Sequence, residues 1–132
     1  GDTFIDLNYR SLLDTHTKSE NSMTLVTGKI QNPFGIVQID ENSKINSFKE
    51  KPTFDYYIGC LAFKKSLLST VPVDWFDLPD GKGLVRLFET LAQKHDLNSF
   101  PHQGLQISFN TESELQSAEK YLSQYYTIKE AT

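Results

Sequence analysis

The chain has 132 residues, a length that fits one domain. Its net charge is −4, with Lys and Arg scattered among Asp and Glu, so no basic stripe offers itself to nucleic acid. No apolar run reaches the length of a membrane span, and the single cysteine, Cys60, excludes an internal disulfide framework or a cysteine-rich zinc site. The expected setting is therefore cytoplasmic, with neither nucleic acid nor membrane as partner.

The first helix is expected over residues 7–18, with Asp6 as N-cap. Tyr9, Leu12, Leu13 and His16 follow helical spacing and define its apolar face. Three strands follow, over residues 23–30, 34–39 and 44–51. Asn32-Pro33 and the polar run from Asp40 to Ser43 mark the turns between them. Such short connections imply antiparallel neighbours. In the third strand Ile45 and Phe48 are read as inward-facing, and their odd spacing suggests either a bulge or an unresolved register. Residues 56–63 are nearly all apolar, the pattern of a strand buried on both faces.

Ser66-Leu67-Leu68 reads as a helical turn. Residues 71–82 hold Pro72, Pro79 and Gly81 and read as a loop that Trp75 and Phe76 pin to the body. A second helix is expected over residues 83–94, with Leu84, Leu87, Phe88 and Leu91 as its buried stripe. Short strands follow over residues 97–100 and 105–109. The last helix runs from Thr111 to about Tyr126, where Thr111 and Glu114 form a capping box. The order of helices and strands is mixed α/β.

Four segments invite a chemical reading, and each has a plain structural alternative. Gly1-Asp2 is by itself a turn signal. Gly35 can mark a turn or a bulge. Glu50 and Lys51 can be a solvated strand edge. Gly59, inside an apolar strand, implies close approach by a backbone or a ligand. The histidines His16, His95 and His102 show no ligand spacing, and His16 on its apolar face reads as a core histidine. His95 falls where it can interact with the end of the second helix.

The ordered set Gly1-Asp2, Leu12-Leu13-x-x-His16, Pro33-Phe34-Gly35-Ile36-Val37, Phe48-Lys49-Glu50-Lys51-Pro52 and Gly59-Cys60-Leu61-Ala62-Phe63 resembles the sugar-phosphate nucleotidyltransferases. Asn110-Thr111-Glu112-Ser113-Glu114-Leu115 resembles that family's entry to its last helix. The resemblance implies the C-terminal part of a Rossmann-like three-layer sandwich, a mixed sheet flanked by helices. It implies transfer of a nucleotidyl group from an NTP to a sugar 1-phosphate, releasing pyrophosphate.

By resemblance, Asp2 would bind Mg²⁺, with Ser108 or Asn110 as weaker ligands. Lys51 would neutralise the sugar phosphate, and Lys51 and Asp2 would be the catalytic pair. Glu50 would bond sugar hydroxyls, Gly35 would let a sugar ring approach the backbone, and Tyr57 and Gly59 would complete the acceptor site.

The sequence also departs from the family pattern. No glycine-rich triphosphate loop is present, so a partial domain is expected, lacking the nucleotide-binding half and inactive alone. Ser108 stands where many members carry a metal-binding aspartate, and Tyr57 stands where many carry asparagine. A non-catalytic sugar-phosphate-sensing or regulatory domain is the alternative. Without the missing strands, the apolar strand ending at Phe63 is expected to leave an open edge through which the chain self-associates.

Overall fold

The computed structural model describes residues 3–130, which form two compact units. The smaller draws on both ends of the described chain, residues 3–8 and 103–130, and the larger spans residues 9–102. In chain order the elements are β1 (Thr3–Ile5), α1 (Tyr9–Ser19), β2 (Met23–Gln31), β3 (Ile36–Ile39), β4 (Ile45–Lys49), β5 (Thr53–Phe63), α2 (Lys82–Gln93), β6 (Leu97–Pro101), β7 (Gln106–Ser108) and α3 (Glu112–Glu130). Three 3₁₀ turns, Lys65–Thr70, Val73–Trp75 and Pro79–Gly81, lie between β5 and α2.

The larger unit is built on β2. Its sheet has the order β5-β2-β6, with β5 antiparallel and β6 parallel to β2. Both faces of β2 are covered, so its residues do not alternate between core and solvent. Thr24 and Val26 are fully buried and Met23 is 2% exposed. On one side Met23 packs with Leu67 and Leu91, and Leu25, Leu61, Leu87, Phe88 and Leu97 close round them. Elsewhere α1 brings His16 onto Thr24, Nδ1 to Oγ1 at 2.8 Å, which satisfies a hydroxyl that no water reaches. The mixed sheet and its flanking helices make the fold mixed α/β, as the element order implies.

The ends of the helices explain the turns around them. The last turn of α2 closes as a Schellman motif: the amide of His95 bonds the carbonyl of Ala92, and that of Asp96 bonds Leu91. His95 takes the left-handed position, φ 54°, where glycine is usual. Asp96 then accepts the amide of Ser22 at 2.7 Å, and this bond holds its carboxyl below the usual range. At its other end α2 begins against the 3₁₀ turn at Trp75. A Cβ on Gly83 would lie 1.9 Å from the Trp75 carbonyl oxygen, so only glycine fits there.

In the smaller unit β1 and β7 pair antiparallel, Thr3 opposite Ser108. The capping box forms as expected: Glu114 donates its amide to Thr111 Oγ1 at 3.2 Å, and its carboxylate accepts the amides of Thr111 and Asn110. Asp6 accepts the Tyr125 hydroxyl and faces Lys129 at 3.4 Å.

Several expectations from sequence need correction. Helix α1 starts at Tyr9, and Asp6 bonds to α3 side chains. Of the four residues on its expected apolar face, Leu12 and His16 are buried, but Tyr9 and Leu13 are 63% and 56% exposed. Strand β5 is longer than expected and lies at the edge of its sheet. Only Ile58 and Ala62 in it are buried, so it is not covered on both faces. Ile45 and Phe48 do not face inward; both are more than 60% exposed. Their spacing does mark a bulge, for the β3–β4 register slips between Gln38 and Ile39. Residues 71–82 contain two of the 3₁₀ turns, Trp75 is half-buried, and Phe76 is exposed.

Two stability predictions follow. Burial, with a smaller effect from Lys64, lowers the His16 pKa below 6.5. The unfolded chain therefore protonates first as pH falls, so His16 favours folding fully above about pH 6.5 and progressively less below it. Thermal unfolding followed between about pH 7.5 and pH 5 should show Tm falling with pH, with a shallower slope in His16→Gln. Gly83→Ala should cost about 1–3 kcal/mol in chemical denaturation, because the added methyl meets backbone that cannot swing away.

Candidate functional site

The segments 32–35 and 50–52 meet at the end of the sheet where β2 gives way to β3 and β4 gives way to β5. The turn after β2 is set by Asn32: its side-chain oxygen accepts the Phe34 amide at 2.8 Å, and its own amide donates to the Pro52 carbonyl at 2.9 Å. The first bond tightens the turn before Gly35, and the second ties it to the residue after Lys51.

Ladder pairing then fixes which side chains share a face. Val37 pairs with Phe48, so Gly35 and Glu50 fall on that same side one step further on. A Cβ on Gly35 would lie 2.7 Å from the Phe48 ring and 3.3 Å from Glu50 Oε2. Gly35 is thus a position where a ring already rests on bare backbone, with a carboxylate beside it. The ring over Gly35 was not anticipated from the sequence.

Lys51 follows Glu50 directly and is exposed. Its φ is 41°, the left-handed region that side chains rarely adopt. The chain reverses here, between the end of β4 and the start of β5, and Pro52 fixes the next φ. A lysine held in a conformation suited to glycine marks a local strain worth about 1–2 kcal/mol.

Tyr57 and Gly59 stand further along β5. Tyr57 packs edge-on against Phe88, with ring centroids 5.3 Å apart. Burial, and to a lesser degree Cys60, pushes its phenol above the usual range. Gly59 has φ 88° and nothing within 4 Å of where its Cβ would be. It sits where the β2–β5 register shifts: between the pairs Leu25↔Leu61 and Thr27↔Tyr57, Val26 alone faces Ile58, Gly59 and Cys60. The reason for glycine is therefore a bulge that needs positive φ, and not the expected close approach of a backbone.

The other expected site residues belong to the smaller unit. Asp2 lies outside the described residues. Ser108 is exposed, and its hydroxyl lies 3.4 Å from that of Thr3. Asn110 gives its amide to Glu114. Among the described residues no three His, Cys, Asp or Glu side chains come together as a metal site. Ser108 and Thr3 offer neutral oxygens only, whereas Mg²⁺ favours carboxylates, so the described residues alone do not suit that ion.

Comparison with known proteins fits this arrangement. A profile of the family described as nucleotidyl transferase matches residues 1–70, more than half of the chain, and the chain belongs to that family. A structure from Bacillus anthracis, assigned as a glucose-1-phosphate thymidylyltransferase and solved with a sucrose, superposes with a TM-score of 0.58 at 17% identity, over 91% of this chain and 51% of that one. HddC from Yersinia pseudotuberculosis, complexed with GMP-PN, gives a TM-score of 0.50 at 18% identity, over 91% and 52%. These likenesses establish the fold, the Rossmann-like fold of nucleotidyltransferases. The chain spans about half the length of the structures it matches. No curated protein matches it.

The geometry at Lys51 makes a prediction. Lys51→Gly should raise the unfolding free energy by about 1 kcal/mol, read as a higher Tm, because glycine relieves the left-handed strain. An unchanged or lowered Tm would show that the lysine side chain contributes more to folding than its backbone costs.

Proposed function

We propose that this chain supplies the acceptor side of a nucleotidyltransferase that joins an NTP to a sugar 1-phosphate. In the reaction a phosphate oxygen of the sugar phosphate attacks the α-phosphorus. A new P–O bond forms, the α–β phosphoanhydride breaks, and pyrophosphate leaves. The observation that carries this reading is the meeting of Gly35, Glu50 and Lys51 at one turn in a chain of this family. Glu50 accepts hydrogen bonds from sugar hydroxyls, and Lys51 neutralises the phosphate as it approaches a second anion. Tyr57 and Gly59 line the acceptor side along β5. Asp2, next in sequence to Thr3, is the one anionic Mg²⁺ ligand in this reading, with Ser108 or Asn110 as weak neutral partners. The nucleotide-binding half comes from elsewhere in the parent protein, so the chain by itself is inactive.

A second reading, a domain that senses sugar phosphate without catalysis, is favoured by the neutral residues Ser108 and Asn110 where the family resemblance expects a carboxylate. Two measurements separate the readings. Pyrophosphate release by the parent protein, with a panel of NTPs and sugar 1-phosphates plus Mg²⁺, should fall by about 10²–10³-fold in Lys51→Ala. Turnover that survives both Lys51→Ala and Asp2→Ala would rule out the assigned roles. Calorimetric binding of sugar 1-phosphate to an inactive parent protein, independent of Mg²⁺ and nucleotide, would favour sensing.

A further inference from the structure

The hairpin of β3 and β4 has its amphipathic pattern reversed. The ladder places Val37 opposite Phe48 and Ile39 opposite Ile45, so these four side chains share one face. That face is open: Ile39, Ile45 and Phe48 are each more than 60% exposed and Val37 is 39% exposed. On the opposite face, Ile36 and Ser47 are half-buried. A soluble hairpin ordinarily turns its apolar side to the body and its polar side to water. Here the strands also form a sheet of their own, paired with no third strand. Two strands alone are marginal in water, so an apolar face of this kind needs a cover.

We propose that the cover is a second copy of this chain, with the two hairpins packed face to face about a two-fold axis. The face is self-complementary in the sense an isologous contact requires, being flat, apolar and free of charge across its four central residues. Its apolar area is on the order of 400 Å² per copy, at the size where patches on monomers are functional. Two such faces with their polar rims bury about 1,000 Å², the lower bound of a specific dimer. Around the axis the Val37–Phe48 row of one copy rests on the Ile39–Ile45 row of the other. This surface is distinct from the open edge of β5, and the proposal does not rest on the acceptor-site reading.

The test is the oligomeric state of the full 132-residue chain by sedimentation velocity across the micromolar range. A reversible dimer is expected. Ile39→Lys with Ile45→Lys should weaken it by at least about a hundredfold, since it sets four ammonium groups in the contact. Ile45→Thr, which keeps strand propensity, should weaken it by about tenfold. A far-UV circular dichroism spectrum unchanged from wild type confirms that each variant stays folded. Phe54→Lys, in β5, should leave the dimer intact. A monomer at high micromolar concentration would overturn the proposal and leave the face to another segment or partner. A dimer broken by Phe54→Lys but not by the paired lysines would overturn it in favour of association through the β5 edge.

Discussion

The larger unit depends on β2 being buried on both faces. A strand in that position cannot alternate apolar and polar residues, and any polar group on it must find a partner inside the protein. Thr24 is the clearest case, since its hydroxyl is fully buried and bonds only to His16. This bond ties α1 to the sheet and makes that packing sensitive to protonation. On the other side, Met23 needs Leu67 and Leu91, which fixes where the turn after β5 and the helix α2 can sit.

The candidate acceptor site is a consequence of that central strand. β2 runs straight from the core out to Gln31, and β5 returns from Thr53. Between them the chain must leave the sheet and come back, and it does so through the β3–β4 hairpin. The amide of Asn32 and the carbonyl of Pro52 close the base of this excursion. Gly35, Glu50 and Lys51 meet because they flank that closure. The strain at Lys51 fits the same picture: the reversal into β5 calls for left-handed backbone, yet a lysine occupies it. A cation kept where glycine would be easier is the kind of local cost that functional sites retain.

Much of this was legible in the sequence, and the failures have physical causes. Strands β2, β3, β4 and β6, helix α2 and the capping box of α3 are found within a few residues of their expected places, because turn residues and hydroxyl caps act locally. Strand β5 misled for the opposite reason. Its apolar run from Tyr56 to Phe63 looks like a doubly buried strand, but it forms a sheet edge, and only Ile58 and Ala62 are shielded. Burial depends on what packs against a strand, which its own composition does not record. Gly59 was read as a close approach and proved to be a bulge, since both needs select glycine. The contact of Phe48 with Gly35 joins residues from two strands whose register turns on a bulge. The Asn-Pro pair pointed to the turn but not to that pairing. The motif Glu50-Lys51-Pro52, by contrast, was recognisable without any knowledge of packing, because the resemblance rests on residue identity.

The central claim is that Gly35, Glu50 and Lys51 form one acceptor site for a sugar 1-phosphate. The most direct measurement is a titration of the isotope-labelled chain with glucose 1-phosphate, followed through its backbone amide resonances. The account predicts saturable shifts concentrated at Gly35, Glu50 and Lys51, with smaller ones at Tyr57 and Gly59, and their loss in Lys51→Ala. Shifts absent from that turn, or equally strong in Lys51→Ala, would contradict it.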